Sequence, residues 1–142
     1  MLVSQPKSQS YAFAYLARQL GRLKRWLEAP SCQPVPLRVA QSLGDQFDLW
    51  ETLLECEERG LYNPLLAAEQ EVLGVVKQAF SLEDSEPSLS FIREKLRRWC
   101  RLCEVVASGQ PVSPDVALVW AEELKQLRAA CLSALNFDCG SA

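Results

Sequence analysis

The stretch RRWCRLCEVV, residues 97–106, contains a pair of residues whose types and spacing are typical of a metal or redox site. Cys100 and Cys103 form a C-x-x-C motif, which supplies ligands to zinc sites and the redox couple of thioredoxin-like proteins. A structural zinc site needs four ligands, and the sequence has no second C-x-x-C. A thioredoxin-type pair begins a helix directly after a strand, and no strand pattern precedes this one.

The periodicity around the pair favours a structural role instead. Apolar residues recur here at intervals of three and four, which is the period of an α-helix, at Leu89, Ile92, Leu96, Trp99, Cys103 and Val106. Cys103 therefore takes a core-facing position with Cys100 on its flank, and a free cysteine packs as a small hydrophobe. Two alternatives stay open: a redox thiol whose pKa is lowered by Arg98 and Arg101, and a metal held with further cysteines.

The chain of 142 residues contains no histidine. This excludes Ser–His and Cys–His nucleophiles, as well as zinc, iron or haem held by histidine. The sequence also lacks the glycine-rich phosphate-binding motifs and the G-x-S-x-G nucleophile motif. We therefore expect a protein that is not an enzyme and holds no cofactor or metal. An enzyme that uses carboxylates alone is the remaining catalytic alternative.

The overall composition predicts a globular protein in the cytoplasm. The net charge of −3 argues against nucleic acid as the main partner, because phosphate binding needs clustered cations. No apolar run approaches the roughly 18 residues that a membrane span needs. Six cysteines in a leucine-rich chain predict reduced thiols. The first 27 residues contain no acidic residue and carry five cations, so a mitochondrial transit segment or a membrane-peripheral helix is the alternative.

Five segments with helical periodicity are separated by proline, glycine or acidic residues. Gly60 is a plausible end signal, and Ser113 followed by Pro114 is a strong start signal. No segment shows the alternation of a β-strand. The sequence predicts an all-α, single-domain bundle of about five mostly antiparallel helices, at residues 10–29, 37–58, 64–80, 88–107 and 114–137.

Charged residues form three rows of one sign along the predicted helices. The acidic row consists of Asp48, Glu51, Glu55 and Glu58 on the second helix. The fourth-helix basic row consists of Arg93, Arg97 and Arg101. The first-helix basic row consists of Arg18, Arg22 and Arg25. Like charges at these spacings repel by a few tenths of a kcal/mol per pair, so solvent, an opposite row or a partner must compensate. Because two basic rows face one acidic row, docking of a protein with an acidic surface is narrowly favoured over internal pairing.

Four of the predicted helices each carry one tryptophan. Trp50, Trp99 and Trp120 fall on or near the apolar stripes, which predicts burial. Trp26 lies slightly off its stripe, beside Arg25, and is expected to be partly exposed together with Tyr11 and Tyr15. Since tryptophan, tyrosine and arginine are enriched at binding hot spots, Trp26 is one of the candidate partner-binding residues, although packing at the boundary of the core is the favoured interpretation.

The segment LGDQF, residues 43–47, resembles the centre of the BH3 segment of Bcl-2 relatives, in which Gly-Asp stands between apolar residues. The resemblance covers about eight residues and departs at Ala40, where that motif has leucine. No other Bcl-2 homology segment is evident in the sequence, and the chain is therefore not assigned to this family.

These observations predict a non-enzymatic protein–protein interaction module, such as an adaptor, an assembly factor or a regulatory subunit. The alternative function is a thiol-based redox or metal-responsive regulator built on Cys100 and Cys103. The sequence gives no basis for predicting the oligomeric state.

Overall fold

A computed structural model of the chain describes residues 4–30, 34–61, 67–80 and 88–140. These residues form α1 (Ser4–Glu28), α2 (Leu37–Glu58), α3 (Ala67–Ala79), α4 (Leu89–Ala107) and α5 (Pro114–Gly140). No β-strand occurs within the described ranges. The prediction of an all-α fold with five helices is confirmed. None of the helices, over the part of the chain described, is long and apolar enough to cross a membrane.

The observed helix bounds differ from the predicted ones mainly at the two ends of the chain. α1 begins at Ser4 instead of near residue 10, and Pro6 lies within its first turn, where a proline interrupts no intrahelical hydrogen bond. α5 continues to Gly140, beyond its predicted end at residue 137. The predicted start of the third helix at residue 64 lies outside the described residues.

A glycine with a left-handed backbone conformation follows the end of α2 and the end of α4. The φ angles are 73° at Gly60 and 81° at Gly109, values that residues with a Cβ rarely adopt. Beyond Gly60, the N–H of Leu61 donates to the carbonyl oxygen of Cys56 at 2.9 Å, which is the pattern of a Schellman motif. The prediction that Gly60 ends the second helix is confirmed.

Serine hydroxyl groups satisfy N–H groups at the starts of α4 and α5. The N–H of Phe91 donates to the Ser88 hydroxyl at 3.2 Å, and that of Val116 donates to the Ser113 hydroxyl at 3.4 Å. Such caps satisfy donors that have no partner within the helix. The start signal at Ser113 and Pro114 therefore works as predicted.

α2 and α4 pack against each other in antiparallel orientation. The Cys100 thiol lies 3.6 Å from the carbonyl oxygen of Gly44, and farther along α2 the carboxylate of Glu51 meets Arg93. A Cβ placed at Gly44 would lie 3.3 Å from the Cβ of Cys103. The glycine therefore allows the two helix backbones to approach closely.

α1 and α5 form a second antiparallel pair. The carbonyl oxygen of Ala17 accepts a hydrogen bond from Nε of Arg128 at 3.2 Å, and Leu27 lines a cavity together with Ala117. Low residue numbers in α1 thus meet high residue numbers in α5. α3 also packs on α5, and α2 contacts both α1 and α3, so the two pairs share one core.

Aromatic side chains fill the centre of this core. Trp50, Trp99 and Trp120 are each no more than 1% exposed, as their positions on the apolar stripes predict. The ring of Trp99 lies 5.2 Å, centroid to centroid, from Phe47 of α2 and also 5.2 Å from Phe80, which follows α3. Burial of each large apolar side chain contributes roughly 1.5–3 kcal/mol, so this cluster is a major source of stability.

The BH3-like segment lies inside the fold. Leu43 and Phe47 are 1% and 0% exposed, and Gly44 between them faces α4. The apolar face that such a segment would present to a partner groove is therefore already packed against the protein's own fourth helix.

The close approach at Gly44 leads to a prediction that uses Gly74 of α3 as its control. Nothing lies within 4 Å of a Cβ added at Gly74. Gly74→Ala should therefore raise the free energy of unfolding by about 0.5–1 kcal/mol, because alanine is the better helix former. Gly44→Ala should not stabilise the protein, since its new methyl group presses on Cys103. Chemical denaturation measures both, and an equal gain for the two variants would contradict the close packing.

Candidate functional site

The acidic row and the fourth-helix basic row meet across the interface between α2 and α4. The guanidinium group of Arg93 lies 3.1 Å from Glu51, 3.3 Å from Glu55 and 2.5 Å from Glu58. The hydrogen bond to Glu58 is the main reason why the pKa of Arg93 is raised above its ordinary value. Arg93 thus remains charged, and three carboxylates of the acidic row surround it.

The fourth-helix basic row changes from paired to exposed along its length. Arg97 lies 3.0 Å from Glu51 but keeps 52% of its side chain exposed. Arg101 is exposed and forms no ion pair with any described residue, and Asp48 is exposed at the far end of the acidic row. Internal pairing, which the sequence analysis disfavoured, therefore occurs at Arg93 and Arg97. A comparison of the number of basic and acidic rows does not reveal that one carboxylate, that of Glu51, forms ion pairs with two arginines.

Glu123 of α5 is a charged residue that the sequence analysis missed. Its carboxylate accepts a hydrogen bond from Nε1 of Trp99 at 2.9 Å, forms an ion pair with Lys95, and lies 3.6 Å from Arg98. It connects α4 to α5 and satisfies the indole N–H of a buried ring. The available signal was its position three residues after Trp120, which places it at the edge of the apolar stripe.

Cys103 and Cys131 lie in the core, as the periodicity predicts. They are 1% and 0% exposed. Burial raises the pKa of Cys131 to about 12, and burial likewise raises the pKa of Cys103. A nucleophilic thiol needs the opposite shift, because only the thiolate reacts. Both residues therefore serve packing.

Cys100 lies at the edge of the same interface and is partly exposed. Its pKa is raised, first by burial and then by the negative charges of Glu104 and Asp48. The redox alternative requires Arg98 and Arg101 to lower this pKa, and the observed shift is in the opposite direction. Arg98 lies instead near a carboxylate of α5. The surroundings of Cys100 therefore disfavour the thiolate that a redox switch would use.

The remaining cysteines leave the metal alternative without a ligand set in the described residues. Cys56, Cys100, Cys103 and Cys131 are free thiols, and the side chains of Cys32 and Cys139 lie outside the described part. Where side chains are described, no group of three or more histidine, cysteine, aspartate or glutamate residues could hold a metal ion.

Trp26 is more buried than the sequence analysis expected. Only 8% of it is exposed, whereas Tyr15 is 47% exposed and the side chain of Tyr11 lies outside the described part. Val35 from the connector between α1 and α2 and Val112 from the connector between α4 and α5 line the same cavity as Trp26. The helical period of α1 does not predict this burial, because residues from elsewhere in the chain lie beside Trp26.

Two members of the first-helix basic row, Arg22 and Arg25, line a groove that we call the connector groove. Arg18, Arg22 and Arg25 are exposed along α1, and the groove lies between the end of α1 and the start of α2. Its volume is about 490 Å³, and it is lined by Arg22, Arg25, Trp26, Val35, Leu37 and Arg38, among others. Arg38 was not recognised from the sequence, because it stands alone on α2 and joins the row only through the fold.

A second hollow, which we call the end cavity, adjoins the connector groove. Its volume is about 240 Å³, and Trp26 and Val35 line both hollows. Val106 from α4 and Ala117 from α5 form its far side. The connector groove and the end cavity together therefore combine cations, exposed apolar side chains and a deeper apolar hollow at one end of the bundle.

Comparisons with models of known protein families, with curated proteins and with solved structures find no match. A helical fold by itself does not determine function, which depends on the chemistry of particular sites. The function is therefore inferred from the geometry of the described residues.

The pairing of Arg93 predicts a salt-sensitive loss of stability. Arg93→Gln should lower the melting temperature, because it leaves three carboxylates of the acidic row without their shared cation. The loss should shrink at high salt, which screens the repulsion among those carboxylates. Arg101→Gln on the same helix is the control and should change the melting temperature little. Equal effects of the two changes in thermal melts at low and high salt would contradict the pairing.

The raised thiol pKa values predict how the cysteines react with iodoacetamide. Near neutral pH, Cys103 and Cys131 should stay unlabelled until denaturant unfolds the protein, and Cys100 should react more slowly than an unfolded cysteine. Site-resolved mass spectrometry after a short pulse measures each rate, with the denatured chain as the reference. If Cys100 reacted faster in the folded protein than in the denatured chain, the redox alternative would regain support.

Proposed function

We propose that the protein is a non-enzymatic interaction module, such as an adaptor, an assembly factor or a regulatory subunit. Its docking surface is the connector groove, and its partner is a protein that presents an acidic segment. The observation that carries this proposal is the arrangement of Arg22, Arg25 and Arg38 around the exposed apolar side chains of Val35 and Leu37.

The charge of the connector groove is opposite to that of the whole chain. The net charge is −3, yet the groove is bordered by arginines, and Arg22 and Arg38 form no ion pair with any residue in the described part. Glu28, the acidic residue of α1, pairs with Lys24 at 2.9 Å. Such a local positive surface attracts acidic segments and accelerates their association.

Apolar surface supplies the second component of binding. Val35 is 41% exposed and Leu37 is 48% exposed, and both lie on the connector groove. A single exposed apolar residue is ordinary on a protein surface. Two of them beside three arginines form a more specific combination, because arginine is enriched among the residues that dominate binding energy.

A cytoplasmic location is part of the proposal. The four cysteines with described side chains are free thiols, which is usual in a reducing compartment. The thiol-regulator alternative is not adopted, because the pKa of Cys100 is raised and its thiolate is disfavoured.

The proposal predicts which peptides the protein selects. A library of random dodecamer peptides displayed on phage should yield sequences rich in aspartate and glutamate. The double variant Arg22→Glu, Arg38→Glu should bind these peptides at least about tenfold more weakly, because opposite charges at the groove become like charges. Fluorescence anisotropy measures the affinities, and stopped-flow mixing should show that most of the salt dependence lies in the association rate.

The control is the double variant Arg101→Glu, Lys125→Glu, which makes the same change in net charge at exposed positions of α4 and α5. It should retain the affinity of the unmodified protein, because these positions lie away from the connector groove. Selection of peptides without acidic residues, or equal losses in the two double variants, would remove the groove as the docking surface.

A further inference from the structure

The end cavity has the size and lining of a pocket for one apolar side chain. Its volume of about 240 Å³ is below the roughly 300–1,000 Å³ of typical small-molecule sites. Its walls are mainly apolar and include Trp26, Leu27, Val35, Val106, Val112 and Ala117. No charged residue of the described part lines it.

Several elements hold these walls in place. Gly109, with a φ angle of 81°, turns the chain out of α4, and the residues that follow it form one wall up to Val112. Trp26 is 8% exposed and Ala117 is 7% exposed, so α1 and α5 contribute side chains that packing already fixes. A pocket with preordered walls binds a side chain without first losing much conformational entropy.

The connector groove and the end cavity share Trp26 and Val35, so a chain lying along the groove passes the mouth of the cavity. We infer, on the basis of the proposed function, that the partner is a short acidic segment with one large aliphatic or aromatic anchor side chain. Its carboxylates lie over Arg22 and Arg38, and its anchor enters the end cavity. Charge complementarity at the rim and the apolar lining of the cavity both select this occupant.

The two parts of such a segment contribute in different ways. Burial of a large apolar side chain improves affinity by roughly tenfold to a hundredfold, mostly through slower dissociation. Carboxylates at the rim act mainly on the rate of association and make that rate sensitive to salt. The anchor and the charges can therefore be removed separately and told apart.

A matched set of peptides tests the anchor directly. Each test peptide is an acidic dodecamer of glutamate, serine and glycine with a single phenylalanine, which is placed at each position in turn. The matched control peptide has alanine at the same position. At the best position, phenylalanine should bind at least about tenfold more tightly than alanine by fluorescence anisotropy. Replacing phenylalanine with alanine should raise the dissociation rate. High salt should slow the association of both peptides.

Two protein variants locate the anchor. Val112→Phe places a ring in the end cavity and should abolish the preference for phenylalanine over alanine, while weak acidic binding through the arginines remains. Val116→Phe adds the same ring at an exposed position of α5 that does not line the cavity and should keep the preference. Thermal melts check that both variants fold. If Val112→Phe does not fold, the peptide comparison on the unmodified protein still decides.

The possible outcomes separate this inference from the proposed function. Equal binding of phenylalanine and alanine peptides, with both lost in the Arg22→Glu, Arg38→Glu variant, would overturn the anchor and leave the docking surface standing. No binding by any acidic peptide would count against both. Self-association abolished by Val112→Phe would assign the cavity to a second copy of the chain. Binding to phosphatidylserine vesicles but to no peptide would assign the arginines to a membrane surface.

Discussion

The arrangement of the helices depends on the contacts of Trp99. Its ring packs against Phe47 of α2 and stacks on Phe80 after α3, while its indole N–H donates to Glu123 of α5. One buried side chain of α4 thus joins the pair α2–α4 to the pair α1–α5. The connector groove lies between the end of α1 and the start of α2, which belong to different pairs. The position of the α1–α5 pair relative to the α2–α4 pair therefore determines whether the arginines of the connector groove lie next to the end cavity.

The two basic rows differ in whether their arginines are paired with carboxylates of the fold. Arg93 pairs with Glu51 and Glu58 across the interface of α2 and α4, where the charges compensate one another within the fold. Arg22 and Arg38 have no such partner among the described residues, although Arg38 lies on the same helix as the acidic row. The acidic row is thus largely engaged by α4. Among the described residues, Arg38 therefore has no ion pair at the opposite end of α2, and this is where the proposed partner would gain most from opposite charge.

Local signals in the sequence predicted what depends on one helix at a time. Periodicity placed Cys103 in the core, and Gly60 ended α2 as expected, because both effects act within a few residues of the chain. The errors concern features that join distant segments. Trp26 shares a cavity with residues of two connectors, Arg38 reaches the basic row only through the fold, and Glu123 acquires its role from contacts with α4. Neither helical period nor residue type contains that information.

Packing and reactivity make opposing demands on the C-x-x-C motif. Gly44 brings α2 close to α4 at Cys103, and this approach excludes water, which raises the pKa of the thiol. A thiolate at Cys100 would also stand beside the negative charge of Glu104. Lowering the pKa of Cys103 would require water or a cation where the backbones of α2 and α4 approach most closely. The motif therefore contributes to stability within the α2–α4 pair, and the proposed docking surface lies at the end of the bundle, where Arg22 and Arg38 form no ion pair with any described residue.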